Sequence, residues 1–323
     1  MTCKNSRTLT HTAKVHLSRR VSGAFRVLHP EQDRTGSRPV KRSLSSRGVS
    51  NLFTIRNMPP KSKSKTKDIT SSTAKSVTAT KQPEEKPPNW PALVPLPAVE
   101  DLALTPLLPD QILTISSLFP TSLCKKYVSF LSTLPLVTTP NKPKKGDAVR
   151  VNDRFTVQDP VFAERLWRET GLSELVQNAS TALEADGQVT KSQKNDLWGG
   201  EVLGLNPNIR VYRYREGQFF DKHYDDSNNV AFTTSEGKSV QGKTTWTLLL
   251  YLTGPVNGVE GGETVFYPEA PKRSREAVQP VVVGLEEGMA LLHRHGRECM
   301  IHEGREVTKG EKWVLRSDVV VRR

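Results

Sequence analysis

The apolar residues of the chain follow one spacing before residue 187 and another after it. Before that point, apolar side chains recur at helical spacing in Pro120–Leu134, Pro160–Thr170 and Ser173–Ala185, so these segments are predicted as helices. Ser173 has the side chain of a helix cap. The segment Ile112–Phe119 alternates weakly and is predicted as a strand that precedes them.

After residue 187, short runs rich in β-branched and aromatic residues are separated by Gly, Pro and Asn, and they predict strands. The runs are Ile209–Arg215, Thr245–Thr253, Glu263–Tyr267, Val278–Val283, Met289–His293, Glu298–His302 and Lys312–Val321. Short strands with few helices between them are typical of a sandwich or a barrel. The predicted fold class is therefore mainly β, with flanking N-terminal helices packed on an antiparallel β core.

The positive charge of the chain is confined to its first hundred residues. The 323 residues contain 47 Lys and Arg against 34 Asp and Glu, a formal net charge of +13. Residues 1–100 hold 19 of the basic and 6 of the acidic residues, so residues 101–323 are neutral. This distribution indicates a charged tail and not a basic nucleic-acid-binding fold. We predict a disordered basic and proline-rich tail and linker over residues 1–100, and one folded domain over residues 101–323.

The tail has more than one interpretation. Residues 1–57 are basic, rich in hydroxyl groups and poor in acidic groups, as in an organellar transit peptide; alternatively, translation starts at Met58 and the upstream residues are never made. The stretch Lys61–Lys67 is either a nuclear signal, a nucleic-acid contact or simply a solvated tail. We expect an intracellular protein of the cytoplasm or nucleus, or of the mitochondrion if residues 1–57 are translated. Nucleic acid is expected as a partner only through this tail.

Cysteine content and hydropathy argue against several classes of protein. The cysteines Cys3, Cys124 and Cys299 form no CxxC pair and no even framework, so neither a disulfide scaffold nor a zinc site is predicted. No uninterrupted apolar run reaches the roughly 18 residues that a membrane-spanning helix needs. We therefore expect no membrane partner.

Residues Gly237–Thr244 read GKSVQGKT and satisfy the phosphate-binding pattern G-x-x-x-x-G-K-[ST]. A phosphate-binding loop of this kind needs a buried strand before it and a helix after it. Here the preceding stretch is polar, and Thr245–Thr253 (TWTLLLYLT) has the composition of a strand. We expect a loop between two strands here, and no nucleotide.

The residues with metal-binding chemistry are the histidines of residues 101–323, which are His223, His293, His295 and His302. On a strand, His223 and Asp225 would point to the same face, whereas Asp226 would point away. A second histidine from a distant strand would complete a two-histidine, one-carboxylate set, the arrangement of non-haem Fe(II) oxygenases. His302 is the main candidate, and His293 and His295 are alternatives, one of which would otherwise face a substrate.

A lysine ten residues after His302 strengthens that choice. Lys312 is expected one hairpin away, on the neighbouring strand, where its ammonium would pair with the far carboxylate of a metal-chelating dicarboxylate. The plainer alternative is a solvated surface lysine, but the adjacent Trp313 and Val314 indicate a partly buried strand.

Five stretches in order carry a family resemblance: RYREGQFFDKHYD at 213–225, LLLYL at 248–252, GGETVF at 261–266, GMALL at 288–292, and His302 with Lys312 and Trp313. With them, residues 205–320 resemble the catalytic domain of the prolyl 4-hydroxylase type of Fe(II)- and 2-oxoglutarate-dependent dioxygenases. The resemblance weakens through residues 110–204 and is absent from residues 1–100. It implies a double-stranded β-helix (jelly-roll) core.

The resemblance also implies roles for individual residues. His223, Asp225 and His302 would bind the iron, and Lys312 would bind the distal carboxylate of 2-oxoglutarate. Tyr214 would line the cosubstrate site. Tyr251 lies on the strand that, in relatives, supplies a hydroxyl to the same carboxylate.

The activity that the resemblance implies is hydroxylation of a substrate C–H bond, with O2 and 2-oxoglutarate consumed, succinate and CO2 formed, and ascorbate as reductant. Prolyl residues of a protein or peptide are the expected substrate, with a small molecule as the alternative. A nucleobase-directed oxygenase is disfavoured by the neutral folded part and by Lys312. A non-catalytic jelly-roll binding module is disfavoured by the intact set of site residues. Hydroxylation of collagen-type substrates by a secreted protein is disfavoured, because we find no signal-peptide pattern and no paired cysteines in the sequence.

Overall fold

The computed structural model of the chain describes residues 86–139, 146, 148–183, 191–270 and 278–323, with backbone only for residues 180–183 and 191–194. All of these residues belong to one unit, Thr78–Arg323. Most of the predicted tail, including Met58 and Lys61–Lys67, lies outside the described residues.

The described part of the chain contains four α-helices, all of them before the main run of strands that starts at Val202. They are α1 (Thr121–Leu131), α2 (Pro160–Glu169), α3 (Leu172–Leu183) and α4 (Lys191–Trp198). Early strands are β1 (Thr105–Leu108), β2 (Ile112–Ile115), β3 (Val137–Thr138), β4 (Arg150–Val151) and β5 (Asp153–Gln158). The middle strands are β6 (Val202–Leu205), β7 (Asn208–Tyr214), β8 (Phe219–His223), β9 (Asn229–Thr233) and β10 (Ser239–Tyr251). The late strands are β11 (Glu260–Gly261), β12 (Thr264–Phe266), β13 (Val281–Val283), β14 (Ala290–Arg294), β15 (His302–Gly304), β16 (Val307–Lys309) and β17 (Lys312–Arg322).

These strands form two main antiparallel sheets. The large sheet has the order β1-β2-β14-β10-β17-β7-β5-β3, with β6 added on β17 and β9 on β10. The small sheet has the order β13-β12-β15-β8-β4, and β11 pairs with β16. Long strands such as β10 and β17 pair over nine positions in the centre of the large sheet.

The large sheet is covered on both faces, and β17 shows this in its alternation. Trp313 and Leu315 point to one face, where they join the apolar cluster that includes α1 and α2. Val314 points to the other face, where it packs with Phe266 and Val307 of the later strands. The predicted mainly β fold with flanking helices is confirmed, and the two facing antiparallel sheets agree with the predicted jelly-roll core.

The folded part begins earlier than the predicted boundary at residue 101. Trp90 stacks on Phe162 of α2, with ring centroids 4.0 Å apart, and its indole nitrogen donates to Asp159. Leu93 is 1% exposed in the same cluster. Proline density correctly indicates an extended segment here, but the prediction of a linker missed that its apolar side chains pack on the helices.

Several segment predictions are confirmed and others need correction. The first two predicted helices correspond to α1 and α2, and α2 is capped by Asp159, which accepts a hydrogen bond from the Phe162 amide. The third corresponds to α3, but this helix begins at Leu172, so Ser173 lies inside it and is not its cap. The predicted strand Glu298–His302 is wrong, because Gly296–Glu298 is a short 3-10 turn and the strand starts at His302.

The phosphate-binding pattern lies mostly within a strand. Only Gly237 and Lys238 belong to the turn, and residues 239–244 form the first half of β10, paired with β9. The expected loop is therefore shorter than predicted, and a strand follows it where a phosphate site would need a helix. None of the described helices combines the length and the apolar run that a membrane crossing needs.

Candidate metal and cosubstrate site

His223 and His302 are cross-strand neighbours, although 79 positions separate them in the sequence. His223 ends β8 and His302 begins β15, and the two residues pair directly, with ring centroids 4.3 Å apart. The Nδ1 atom of His223 lies 2.7 Å from the Asp221 carbonyl, and that of His302 lies 2.9 Å from the Met300 carbonyl. A carbonyl can only accept, so each Nδ1 carries the proton and each Nε2 keeps its lone pair.

Asp225 reaches the same point from beyond the end of β8. The Gly296 amide donates to the Asp225 carbonyl at 2.7 Å, and the Asp225 amide donates to Cys299 Sγ at 3.3 Å. Its carboxylate oxygens lie 3.8 Å from His223 Nε2 and 3.9 Å from His302 Nε2. The convergence was predicted, but the reason was wrong: the loop at residues 296–299, and not strand alternation, places the carboxylate.

The three side chains fit a single divalent ion. One donor atom from each of His223, Asp225 and His302 lies within 4.8 Å of the other two. Bonds of about 2.0–2.2 Å from one ion to nitrogen or oxygen bring neighbouring donors to roughly 3–4 Å from each other. Two imidazole nitrogens and one carboxylate leave three coordination positions open, the arrangement of non-haem Fe(II) sites.

The charge states of these groups favour metal binding. Burial lowers the pKa of His223 to about 3, and burial also lowers the pKa of His302, although Asp225 opposes it. Both rings are therefore neutral near pH 7, as metal ligands must be. Burial alone would raise the pKa of Asp225, but Arg316 and the surrounding histidines hold it well below its usual range.

Arg316 and Thr247 orient the Asp225 carboxylate. The Arg316 guanidinium lies 2.8 Å from Oδ2 through Nη2 and donates to Oδ1 through Nη1 at 3.2 Å. The Thr247 hydroxyl donates to Oδ2 at 2.8 Å. Arg316 is only 9% exposed and also contacts Asp318, so this ion pair is shielded from solvent and from salt.

The two alternative histidines occupy different positions. His295 has both ring nitrogens engaged, by Thr247 and Thr244 at 3.0 and 2.9 Å, so neither nitrogen is free for a metal. His293 is 1% exposed and lines the site, with Nε2 3.7 Å from an Asp225 oxygen. It also forms a second group of potential ligands with Cys299 and His302. His293 does not group with His223 and Asp225, so among the described histidines it is His302 that completes the predicted set.

Lys312 lines the same pocket as the three potential ligands. The position differs from the prediction: Lys312 begins β17 in the large sheet, whereas His302 is in the small sheet, so the two strands are not neighbours. The Lys312 ammonium is 5% exposed and donates to the Gly262 carbonyl at 2.7 Å. Burial lowers the pKa of Lys312 to about 8.

The two predicted tyrosines both flank this ammonium. The ring centroids of Tyr214 and Tyr251 lie 5.4 and 5.2 Å from Lys312 Nζ. Tyr214 pairs with Lys312 across β7 and β17 and lines the pocket. Tyr251 lies behind the lining, where its hydroxyl is 2.7 Å from Thr264 Oγ1, and Thr264 itself faces the pocket. Burial raises the pKa of both tyrosines, so both stay neutral.

Sequence reasoning missed several residues of the site. They are Tyr212, Phe220, Thr247, Thr264 and Arg316. Alternation along β17 could have found Arg316, because it lies four residues after Lys312 on the same face. Phe220 stacks on the His223 ring with centroids 3.5 Å apart, although the two residues are three apart on β8, so strand alternation did not indicate the contact.

Comparisons with known proteins agree with this chemistry. Residues 209–317 match the family model of the 2OG-Fe(II) oxygenase superfamily. Prolyl 4-hydroxylase 2 of Arabidopsis thaliana is 31% identical over 123 residues, which are 32% of this chain and 38% of that protein. The matched region therefore spans less than two-fifths of this curated relative.

Two solved structures illustrate the structural similarity. A viral collagen prolyl hydroxylase from Paramecium Bursaria Chlorella virus-1, in complex with 2OG, is 14% identical, with a TM-score of 0.38 over 65% of this chain and 96% of that one. A Pseudomonas putida prolyl-4-hydroxylase is 13% identical, with a TM-score of 0.40 over 66% of this chain and 94% of that one.

Proposed function

We propose that the chain is a 2-oxoglutarate-dependent dioxygenase that hydroxylates a substrate C–H bond, because residues 209–317 match the family model of the 2OG-Fe(II) oxygenase superfamily. Prolyl residues of a protein or peptide are the proposed substrate, and ascorbate is the proposed reductant. The observation that carries the proposal is that His223, Asp225, His302 and Lys312 line one pocket between the two sheets. The similarity to a prolyl 4-hydroxylase supports the choice of substrate.

His223, Asp225 and His302 would hold Fe(II) through two neutral imidazoles and one charged carboxylate. Iron bound there would supply the oxidation: with O2, 2-oxoglutarate would give succinate and CO2, one oxygen atom entering succinate and the other the substrate's hydroxyl. The protein keeps the donor atoms in place before the metal arrives, because each imidazole is fixed by a carbonyl and by its neighbouring rings.

Lys312 would bind the distal carboxylate of 2-oxoglutarate. Its ammonium has three N–H donors, and within the described part of the chain one of them is used, by the Gly262 carbonyl. The rings of Tyr214 and Tyr251 restrict the position of the lysine and keep water away from it. In such a dry pocket a charge-assisted hydrogen bond to a carboxylate is stronger than in water.

Arg316 acts as a positioning residue for the metal ligand. Its guanidinium and the Thr247 hydroxyl occupy lone pairs of the Asp225 carboxylate, which limits rotation of this group. The remaining lone pairs face His223 and His302. A carboxylate held in this way loses little conformational entropy when the ion binds.

The proposal is tested by turnover of 2-oxoglutarate. The full chain, supplied with Fe(II), ascorbate and air, should form succinate from 2-oxoglutarate, and a proline-containing peptide that serves as substrate should gain the mass of one oxygen atom. The His223→Ala variant should form no succinate above background. Oxygenation of methylated nucleic acid without any oxygenation of peptides would replace the proposed substrate, and absence of succinate under all conditions would reject the activity.

A further inference from the structure

A wide groove continues outward from the candidate metal site. Its volume is about 1020 Å³, and His223, Asp225 and Arg316 line both the groove and the inner pocket. Drug-sized and metabolite sites enclose roughly 300–1,000 Å³, so the groove lies at the upper end of that range and has room for several residues of a peptide. A group that enters the inner pocket would leave the rest of its molecule in this groove.

Basic side chains outnumber acidic ones in the lining of the groove. Arg150, Arg154, Arg210, Lys222 and Arg316 face it, against the carboxylates Asp225 and Asp226. Asp318 neutralises part of this charge, because it pairs with both Arg210 and Arg316. The remaining basic groups exceed the acidic ones, and a divalent ion at the inner end would add to the positive potential.

The sheet register explains why the basic residues collect there. Arg154 pairs with Tyr212, and Thr156 pairs with Arg210, across β5 and β7, while Arg210 pairs with Arg316 across β7 and β17. Paired residues point to the same face, as do residues two apart. One face of the large sheet therefore changes from Lys312 and tyrosines at its inner end to arginines at its outer end.

Within the described part of the chain, Arg150 and Arg154 have no carboxylate partner. Arg150 lies over the rings of Phe220 and Tyr212, at 5.0 and 6.0 Å from their centroids. The Arg154 guanidinium donates to the Thr156 hydroxyl at 3.2 Å. Burial lowers the pKa of Arg154, and the like charges of Arg150 and Arg210 lower it further. Like charges held together in this way cost free energy that an anionic ligand would offset.

Asn208 also lines the groove, and its side-chain amide can pair with a peptide group of a bound chain. Arg316, which is 9% exposed, lines the inner end of the groove.

We propose, on the basis of the proposed function, that this groove binds the substrate and that the substrate is a peptide segment with carboxylate side chains next to the oxidised residue. The arginines pair with the carboxylates, and Asn208 pairs with a peptide group. The exposed ring of Tyr224, 56% accessible beside His223, offers an apolar contact. Exposed Asp226 at the groove disfavours a continuous phosphate backbone, so a peptide fits better than a nucleic acid.

The test measures binding of two fluorescent peptides to the full chain loaded with Mn(II) and 2-oxoglutarate, which allows binding without turnover. One peptide has a central proline flanked by glutamates, and the other has glutamines at the same positions. The acidic peptide should bind at least about tenfold more tightly at low salt, and the difference should shrink as added salt screens the charges.

Matched variants locate the effect. The double variant Arg150→Gln/Arg154→Gln should lose most of the preference for the acidic peptide. The double variant Lys238→Gln/Lys309→Gln removes the same charge from exposed lysines paired with Glu236 and Glu260 outside the groove, and should keep the preference. Circular dichroism of both variants checks that the fold is retained.

Equal affinity for the two peptides, no binding of either, or a preference that survives in the groove variant would overturn the proposal. Tighter binding of a single-stranded oligonucleotide, lost in the groove variant, would overturn it in favour of nucleic acid. Succinate formation by the unaltered chain in the same preparation separates the two proposals. With succinate and without acidic preference, only the substrate inference fails; without succinate, the proposed activity fails whatever the peptides show.

Discussion

Lys312 is proposed to bind the distal carboxylate of 2-oxoglutarate, so its protonation state should limit the affinity for this cosubstrate. Burial lowers its pKa to about 8, and only the ammonium pairs with a carboxylate. The affinity for 2-oxoglutarate should therefore be constant below about pH 8 and fall above it, approaching tenfold per pH unit. Calorimetric titration of the Mn(II)-loaded protein at a series of pH values measures this.

Two substitutions at the same position serve as controls. Lys312→Arg stays charged over the whole range, so its affinity, whatever its absolute value, should lose the decline above pH 8. Lys312→Met should bind 2-oxoglutarate weakly at every pH. An unaltered protein whose affinity stays constant well above pH 8 would show that the lysine does not bind the cosubstrate in its ammonium form.

At the residue scale, most of the residues that line the site were predicted from motifs in the sequence. His223, Asp225, His302, Lys312 and Tyr214, which the resemblance singled out, all line one pocket. Thr247 could not be predicted, because its contact with Asp225 arises from packing of β10 against a loop. The spacing of Lys312 favoured His302 but left His295 as an alternative, and the hydrogen bonds of His295 to two threonines remove that alternative.

At the element scale, the loop that holds Asp225 depends on Gly296. This residue has a φ of +73°, and a Cβ added there would lie 2.9 Å from the Cβ of Ser227. Gly296→Ala should therefore shift the loop whose amide binds the Asp225 carbonyl, and should weaken metal binding by about tenfold or more. Titration with Mn(II) under electron paramagnetic resonance detection measures the affinity.

Gly237→Ala is the matched control for this change. Gly237 has a φ of +75°, but a Cβ there would meet nothing within 4 Å. The substitution therefore adds similar backbone strain in the β9–β10 turn without displacing a neighbour, and metal affinity should stay unchanged. If both variants bind Mn(II) like the unaltered chain, the loop does not position the carboxylate as described.

The packing of residues 86–100 gives a second prediction at this scale. Trp90 stacks on Phe162 and donates to Asp159, so Trp90→Ala should lower the free energy of unfolding by about 3–5 kcal/mol. Val94 is 60% exposed in the same segment, and Val94→Ala should change it by less than about 0.5 kcal/mol. Urea denaturation measures both. If the two variants are equally stable, residues 86–100 act as a linker, as the sequence predicted.

Helices were easier to predict than strands, for a physical reason. The apolar spacing of α1 and α2 is fixed locally, so their positions followed from the sequence within a few residues. Strands β5 and β8 were missed as segments, and β8 lies between β15 and β4 with half-buried and exposed residues in no regular alternation. Its place is determined by pairing with the distant β15, which no local pattern encodes.

At the scale of the whole molecule, charge is unevenly distributed both along the sequence and over the surface of the folded part. The formal charge of +13 belongs to residues 1–100, most of which lie outside the described residues. Residues 101–323 have no net charge, but several of their basic side chains line one groove. The net charge alone does not indicate this local excess. The expected role of the tail and the intracellular location stay predictions, as does the start of translation at Met58.

The proposed activity depends on binding of Fe(II) by His223, Asp225 and His302, and on binding of 2-oxoglutarate to that iron. The most direct test is anaerobic: the full chain with Fe(II) is titrated with 2-oxoglutarate, and the visible metal-to-ligand charge-transfer band is recorded. The band should appear in the unaltered chain and in His293→Phe, since His293 does not group with His223 and Asp225. It should be lost in His223→Ala and His302→Ala. Absence of the band in the unaltered chain, or its persistence in His302→Ala together with loss in His293→Phe, would contradict the account.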